Sequence, residues 1–165
     1  MKVVIGLGNP EEKFTKNRHN VGYQFIDFVK NQNDGETDKD FKWLKTESFM
    51  NISGVMVAKT VGFYKIEISD LIIVHDDLDI PIGQYKIQLG VGPKDHNGVI
   101  SVEENLGDKN FWRIRIGIEN RKSKDEIGYR KPGEEYVLEN FLPEEEKILE
   151  KIFGEIYAKC KTDFR

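Results

Sequence analysis

The longest uninterrupted aliphatic run in the chain is Leu71 to Val74. A run this short fits a buried strand, and no segment approaches the roughly 20 apolar residues needed to span a bilayer. Short apolar segments of this kind alternate with stretches of helical period along the chain. Residues 2–7, KVVIGL, predict a strand closed by Gly8-Asn9-Pro10. Val21, Phe25, Phe28 and Val29 then recur at helical spacing. Residues 31–40, NQNDGETDKD, lack apolar side chains and are expected to form an exposed loop. Phe41 to Lys45 is a short strand, and Asn51 and Ser53 are candidate N-caps for a helix ending near Phe63. Tyr85, Ile87 and Leu89 alternate, predicting a strand over 84–89. A glycine-bearing loop from Gly90 to Gly98 leads into a short helix at about 99–106. Trp112, Ile114, Ile116 and Ile118 alternate with Arg113 and Arg115, a strand with one apolar and one basic edge. Residues 119–135 are polar and loop-like. Pro143 then opens a helix with three glutamates in its first turn, and Ile148, Leu149, Ile152, Phe153, Ile156, Tyr157 and Cys160 form one apolar stripe. Alternating strands and helices predict an α/β sandwich around a mixed, mostly parallel sheet.

A length of 165 residues fits a single domain spanning 1–165. Apolar residues make up 38% and charged residues 33%, enough for one core and too polar for a membrane protein. The N-terminus has no signal-peptide apolar region before its first turn, so a cytoplasmic location is expected. A lone cysteine, Cys160, excludes an internal disulfide and a Cys-rich zinc site. The net charge of −4 is unevenly placed, because Arg113 to Lys131 holds seven bases against three acids. Local charge sets the field that a ligand meets, so a basic patch is compatible with an acidic protein.

The three histidines each precede an amide or acid, as His19-Asn20, His75-Asp76 and His96-Asn97, and each falls at a loop–element junction. Asn9 follows the first strand, and Asp76 is expected just beyond the strand at 71–75. Ligands of open α/β sheets bind beyond the carboxyl ends of the strands, which places both on one rim if the strands are parallel neighbours. His19 starts the returning helix and can reach that rim. A carboxylate on one imidazole nitrogen would leave the other as a base that activates water, without a serine nucleophile or a metal. Other chemistries fit less well. Gly6-Leu-Gly8 is only a partial dinucleotide fingerprint, because Glu11 stands at its third glycine, and the chain has no phosphate loop and no GxSxG elbow. His75, Asp76, Asp77 and Asp79 lack a second histidine at ligand spacing, so neither a metal nor a cofactor is expected. On spacing alone, Asp76-Asp77-Leu78-Asp79 also fits a solvated turn.

Several motifs resemble one family. The stretch V-I-G-L-G-N-P followed by R-H-N-V-G, the block Ser48 to Gly54, V-H-D-D-L-D-I-P-I-G from Val74 to Gly83, His96-Asn97-Gly98, F-W-R-I-R-I-G-I and Y-V-L-E-N-F occur in the order seen in bacterial-type peptidyl-tRNA hydrolases. The resemblance covers residue 1 to about 150. It implies a monomeric three-layer α/β/α sandwich that cleaves the ester between peptide and tRNA, recycling tRNA from aborted translation. The implied partner is peptidyl-tRNA, bound through its acceptor stem and 3′ end, with no membrane and no stable protein partner. His19 matches the family's base and Asp76 the acid that orients it. Asn9 matches a residue that separates blocked from free aminoacyl-tRNA. Asn51 and Asn97 match amides that bind substrate and order water, and Phe49 matches an aromatic residue of the same groove. Lys86 and Arg115 fall where relatives hold tRNA phosphates.

The chain also departs from the pattern. Phe14, at a substrate-binding position, stands where the family usually has tyrosine, so a hydroxyl is missing. Glu11 replaces a glycine, and Lys45-Thr46 replaces lysine-proline. Pro93, Lys94 and Asp95 stiffen and charge a loop that is normally glycine-rich. Gln88 stands where a second base is often found, and the segment between residues 30 and 45 is short. These changes bear on substrate grip more than on the proposed chemistry. Some relatives of the family serve as RNA-binding splicing partners, a non-enzymatic alternative on the same fold.

Overall fold

In the computed structural model, which describes residues 1–33, 38–122, 126 and 128–164, the apolar runs form the inner strands of one sheet. Its strands are β1 (Lys2–Gly6), β2 (Phe41–Lys45), β3 (Leu71–Pro81), β4 (Tyr85–Leu89) and β5 (Trp112–Glu119), in the order β2-β1-β3-β5-β4. The pairs β1–β2, β1–β3 and β3–β5 are parallel, and β4 adds to β5 antiparallel at the edge. The expected mixed, mostly parallel sheet is therefore present. Val3, Val4, Leu71, Ile72, Ile73 and Val74 are inaccessible to solvent, as expected of central parallel strands covered on both faces.

Helices supply the two outer layers. The helices α1 (Val21–Gln32) and α4 (Pro143–Asp163) bury Phe25, Ile26, Val29, Leu149, Ile152, Phe153 and Ile156 against Val4, Ile72, Val74, Ile114 and Ile116. On the opposite face, α2 (Ser53–Tyr64) and α3 (Asn97–Leu106) bury Val57, Val99 and Val102 against Val3, Ile5, Leu71 and Ile73. Each such side chain contributes roughly 1.5–3 kcal/mol of burial. The result is the three-layer α/β/α sandwich.

Some local expectations change. The third strand does not stop near His75 but runs on through Asp76 and Asp77 to Pro81, so these acids are strand residues and not a solvated turn. Arg113 and Arg115 do not form an open basic edge. They are 2% and 8% exposed, because the sheet face they point toward is also covered. Neither Asn51 nor Ser53 caps α2. A 3₁₀ turn, Met50–Ile52, precedes it, and the Ser53 hydroxyl donates back to the Met50 carbonyl. Residues 31 and 32 belong to α1 instead of a loop, and of the stretch 31–40 residues 34–37 lie outside the described residues. Within 119–135, Gly133–Tyr136 makes one helical turn, while 123–125 and 127 lie outside the described residues.

Candidate active site

Close backbone packing brings the histidine rim together. A Cβ on Gly22 would lie 2.5 Å from the Val74 carbonyl oxygen, and one on Gly6 would lie 2.4 Å from that of Gly22. The start of α1 therefore rests directly on the carboxyl ends of β1 and β3, which only glycine allows. The 3₁₀ turn Arg18–Asn20, immediately before α1, carries His19 over β3. There His19 Nδ1 lies 3.0 Å and 2.9 Å from the two Asp76 carboxylate oxygens. His96, the N-cap of α3, places its Nε2 2.7 Å from Asp76 Oδ1, while its Nδ1 accepts the Val99 N–H. The expected His–Asp pairing is thus a cluster of three, and the role of His96 in it was not read from the sequence.

Electrostatics favour an ionised Asp76 between the rings. Burial pushes its pKa up, but the charges and hydrogen bonds of His19 and His96 outweigh this and hold it well below the usual carboxylate range. Burial likewise pulls His19 down, yet the charge and hydrogen bond of Asp76 prevail and leave its pKa raised. His75 differs from both. It is fully buried, donates Nδ1–H to the Asp76 carbonyl and has no partner for Nε2 among the described residues. Burial, followed by repulsion from His96, pushes its pKa down to about 3, so it stays neutral.

The segment bearing His19 is clamped from below. The Arg18 and His19 amides donate to the carbonyls of Glu139 and Val137, at 3.0 and 2.8 Å. The Arg18 guanidinium lies 4.0 Å from the centre of the Tyr136 ring and donates to Glu145 Oε1 at 2.8 Å. Glu145 also accepts the Leu142 N–H at the start of α4 and an Asn120 Nδ2–H at the end of β5. Sequence reading assigned this glutamate only to the helix dipole. Its partner lies 127 positions away, and no local pattern links the two.

Asn9 joins the same rim through Asn20. The Asn9 N–H donates to Asn20 Oδ1, Asn20 Nδ2 donates to the Asn9 carbonyl, and Asn9 Oδ1 accepts the Met50 N–H. The Asn9 Nδ2 group is left without a protein partner among the described residues. An open cleft of about 1030 Å³ lies over His19, Asp76, His96 and Asn97 and extends to Lys94, Glu119, Arg121 and Arg130. Asn9, Phe14, Phe49 and Asn51 lie outside its lining, although Asn9 is tied to Asn20, next to His19, and Asn51 neighbours the Met50 amide that anchors Asn9. Lys86 is exposed on β4. Arg115, expected to meet phosphate, instead donates to Asp77 Oδ2 at 2.8 Å and to Gln88 Oε1 at 2.6 Å.

His19, Asp76 and His96 are also the described residues whose ligand atoms, within 4.8 Å of one another, could surround a cation. Two N–H donors directed at one carboxylate account for the same distances. The same arrangement allows an imidazole base backed by an anion.

Comparison with known proteins identifies the chain's relatives. The family described as peptidyl-tRNA hydrolase matches residues 3–163. A peptidyl-tRNA hydrolase of Sulfurovum sp. is 35% identical over 98% of this chain and 88% of its own length. One from Geotalea uraniireducens is 38% identical over 88% and 80%. The crystal structure of peptidyl-tRNA hydrolase from Acinetobacter baumannii superimposes with a TM-score of 0.79 at 26% identity, covering 98% of this chain and 87% of that one. Among the described residues, no helix is long and apolar enough to cross a membrane. With a family match spanning nearly its whole length and relatives above 30% identity, the chain belongs to the peptidyl-tRNA hydrolase family.

Proposed function

We propose that this chain hydrolyses the ester bond of peptidyl-tRNA, releasing peptide and free tRNA, with His19 as the base. The observation that carries the reading is the Asp76 carboxylate on His19 Nδ1, which fixes the proton on that nitrogen and leaves Nε2 free to accept one from water. The water oxygen then attacks the ester carbonyl. Asp76 stabilises the imidazolium that forms, and the proton passes to the departing 3′ oxygen of the tRNA. Neutral amides suit the developing oxyanion and a peptide bond, because they supply donors without burying a charge. Asn9 Nδ2 and the Asn97 side chain at the start of α3 serve here, with Asn51 and Phe49 toward the peptide. An amide that pairs with the blocked α-nitrogen would spare free aminoacyl-tRNA, whose ammonium is costly to bury.

The test is incubation of purified protein with N-acetyl-aminoacyl-tRNA and, separately, with free aminoacyl-tRNA. Cleavage of the first and sparing of the second is expected. Binding without cleavage of the first would turn the reading toward an RNA-binding module.

A further inference from the structure

The cleft over His19 continues past the histidines to a wall that the proposed hydrolysis leaves unused. Its lining includes Lys94, on the loop entering α3, and Arg121 and Arg130, in the segment after β5. Glu119 accepts from Arg121 Nη2 at 2.5 Å and from Arg130 Nη2 at 2.6 Å. One carboxylate between two guanidiniums leaves a surplus positive charge. The Arg121 side chain is 13% exposed and that of Arg130 is 46% exposed, so Arg130 presents that charge to the cleft. Lys94 is exposed and has no ion-pair or hydrogen-bond partner among the described residues. It also borders a second depression of about 920 Å³ behind its loop. Gly92 fixes that loop, because a Cβ there would lie 2.5 Å from the buried Arg113 guanidinium, itself paired with Glu103 at 2.7 Å. The strand arginines cannot take this role, since Arg113 and Arg115 are buried and each is held by an acid.

Acids limit where an anion can lie. Asp79, Asp95 and Glu134 line the same cleft and are exposed. Within that lining, a polyanion meets attraction at Lys94 and at the Arg121–Arg130 pair and repulsion at these three acids. We propose that Lys94 and Arg130 hold backbone phosphates of a single-stranded RNA 3′ end and so lead its terminal ester to His19, an assignment that rests on the hydrolase reading above. Lys94 acts as a point charge, and Arg130 offers the guanidinium donors that no described residue other than Glu119 takes.

The experiment measures binding of N-acetyl-aminoacyl-tRNA to the full chain as a function of salt, with His19→Ala to silence turnover, and adds Lys94→Ala, Arg130→Ala, both together, and Asp95→Asn. Two phosphate contacts of about −0.7 each in the slope of log affinity against log salt correspond to about a sevenfold loss between 50 and 200 mM. The double variant is expected to flatten the slope by about 1.4, each single variant by about half of that, with the deficit appearing in KM when His19 is restored. Arg130→Lys should keep most of the slope, whereas Asp95→Asn should tighten binding. Glu119 retains Arg121 in every variant, which preserves the local fold. An unchanged slope and KM in the double variant, with wild type still cleaving the substrate, would overturn the phosphate assignment and leave the hydrolase reading intact. Wild type that binds with the expected slope but fails to cleave would overturn the hydrolase reading instead.

Discussion

His96 and Asp76 meet through one oxygen, with His96 Nε2 2.7 Å from Asp76 Oδ1. Because His96 Nδ1 accepts the Val99 N–H, the neutral ring carries its proton on Nε2 and donates it to the carboxylate. His96 thereby orients Asp76, and Asp76 orients His19. The two rings also lie close, with centroids 5.0 Å apart. Removing any member therefore disturbs the other two, and double variants within the cluster should be strongly non-additive.

His19→Ala is expected to lower turnover by roughly 10²–10⁴, the usual range for loss of a general base, while tRNA binding changes little. Asp76→Asn should also lower turnover, because an amide cannot stabilise the imidazolium. Steady-state kinetics on N-acetyl-aminoacyl-tRNA checks both, and full activity in His19→Ala would sink the mechanism.

The pH profile carries an independent sign. A base must be neutral, so activity rises with pH through the His19 pKa. Asp76 holds that pKa above the ordinary 6.5, which places the acid limb of kcat/KM above pH 6.5. Asp76→Asn removes the raising charge while burial remains, so the limb should move to lower pH even as the plateau falls. A limb that stays in place would mean that another group titrates.

Chelation addresses the alternative use of the same three side chains. Enzyme dialysed against a strong chelator should cleave substrate at the untreated rate, provided the tRNA is folded beforehand with magnesium. Loss of activity that a transition metal restores would assign His19, Asp76 and His96 to a cation.

Much of this architecture was legible in the sequence because periodicity reports burial. The aliphatic runs of β1 and β3 each read correctly on their own, and so does the stripe on α4 from Leu149 to Cys160, although its first residue, Ile148, is exposed. The misreadings around the site share one physical cause, which is that buried polar residues look like surface residues until their partners are known. Asp76 and Asp77 resemble a turn, yet their partners are His96, 20 positions away, and Arg115, 38 positions away. Arg113 and Arg115 resemble an open basic face for the same reason. The pairing of Arg18 with Glu145 has no signal in the sequence, since one sits beside the candidate base and the other on a helix whose acids already suit the dipole.

That last pair makes a stability prediction with a functional consequence. Glu145 is 1% exposed and holds Arg18, Asn120 and the Leu142 amide at once. Truncation to alanine leaves the buried Arg18 guanidinium only its longer carboxylate contact, to Glu139 Oε2 at 3.5 Å, so the loss is expected to approach the roughly 3–5 kcal/mol of a broken buried pair. Glu145→Gln keeps the shape and some acceptor capacity and should cost less. Denaturant titration checks the order of the two. In the glutamine variant, a looser His19 segment should lower kcat more than it raises KM.

Acid sensitivity should trace to His75. In the unfolded chain its pKa is near 6.5, whereas burial in the folded protein pushes it down to about 3. Between these values the unfolded state binds the extra proton, so stability falls as pH falls, by about 1.4 kcal/mol per pH unit at the steepest. The neighbours do not mask this over the middle of the window. His19 has a raised folded pKa, so its contribution is fully present below pH 6.5 and is lost only as pH rises through the folded value. Asp76 has a depressed pKa, so its contribution is present above about pH 4 and is lost only at lower pH. From about pH 6 to pH 4.5 the His75 contribution therefore dominates this cluster. Urea midpoints of the wild type should fall steadily across that range, and those of a His75→Phe variant should fall much less, even if the variant starts lower through loss of the hydrogen bond to the Asp76 carbonyl. Parallel slopes in the two proteins would place the acid-labile group elsewhere.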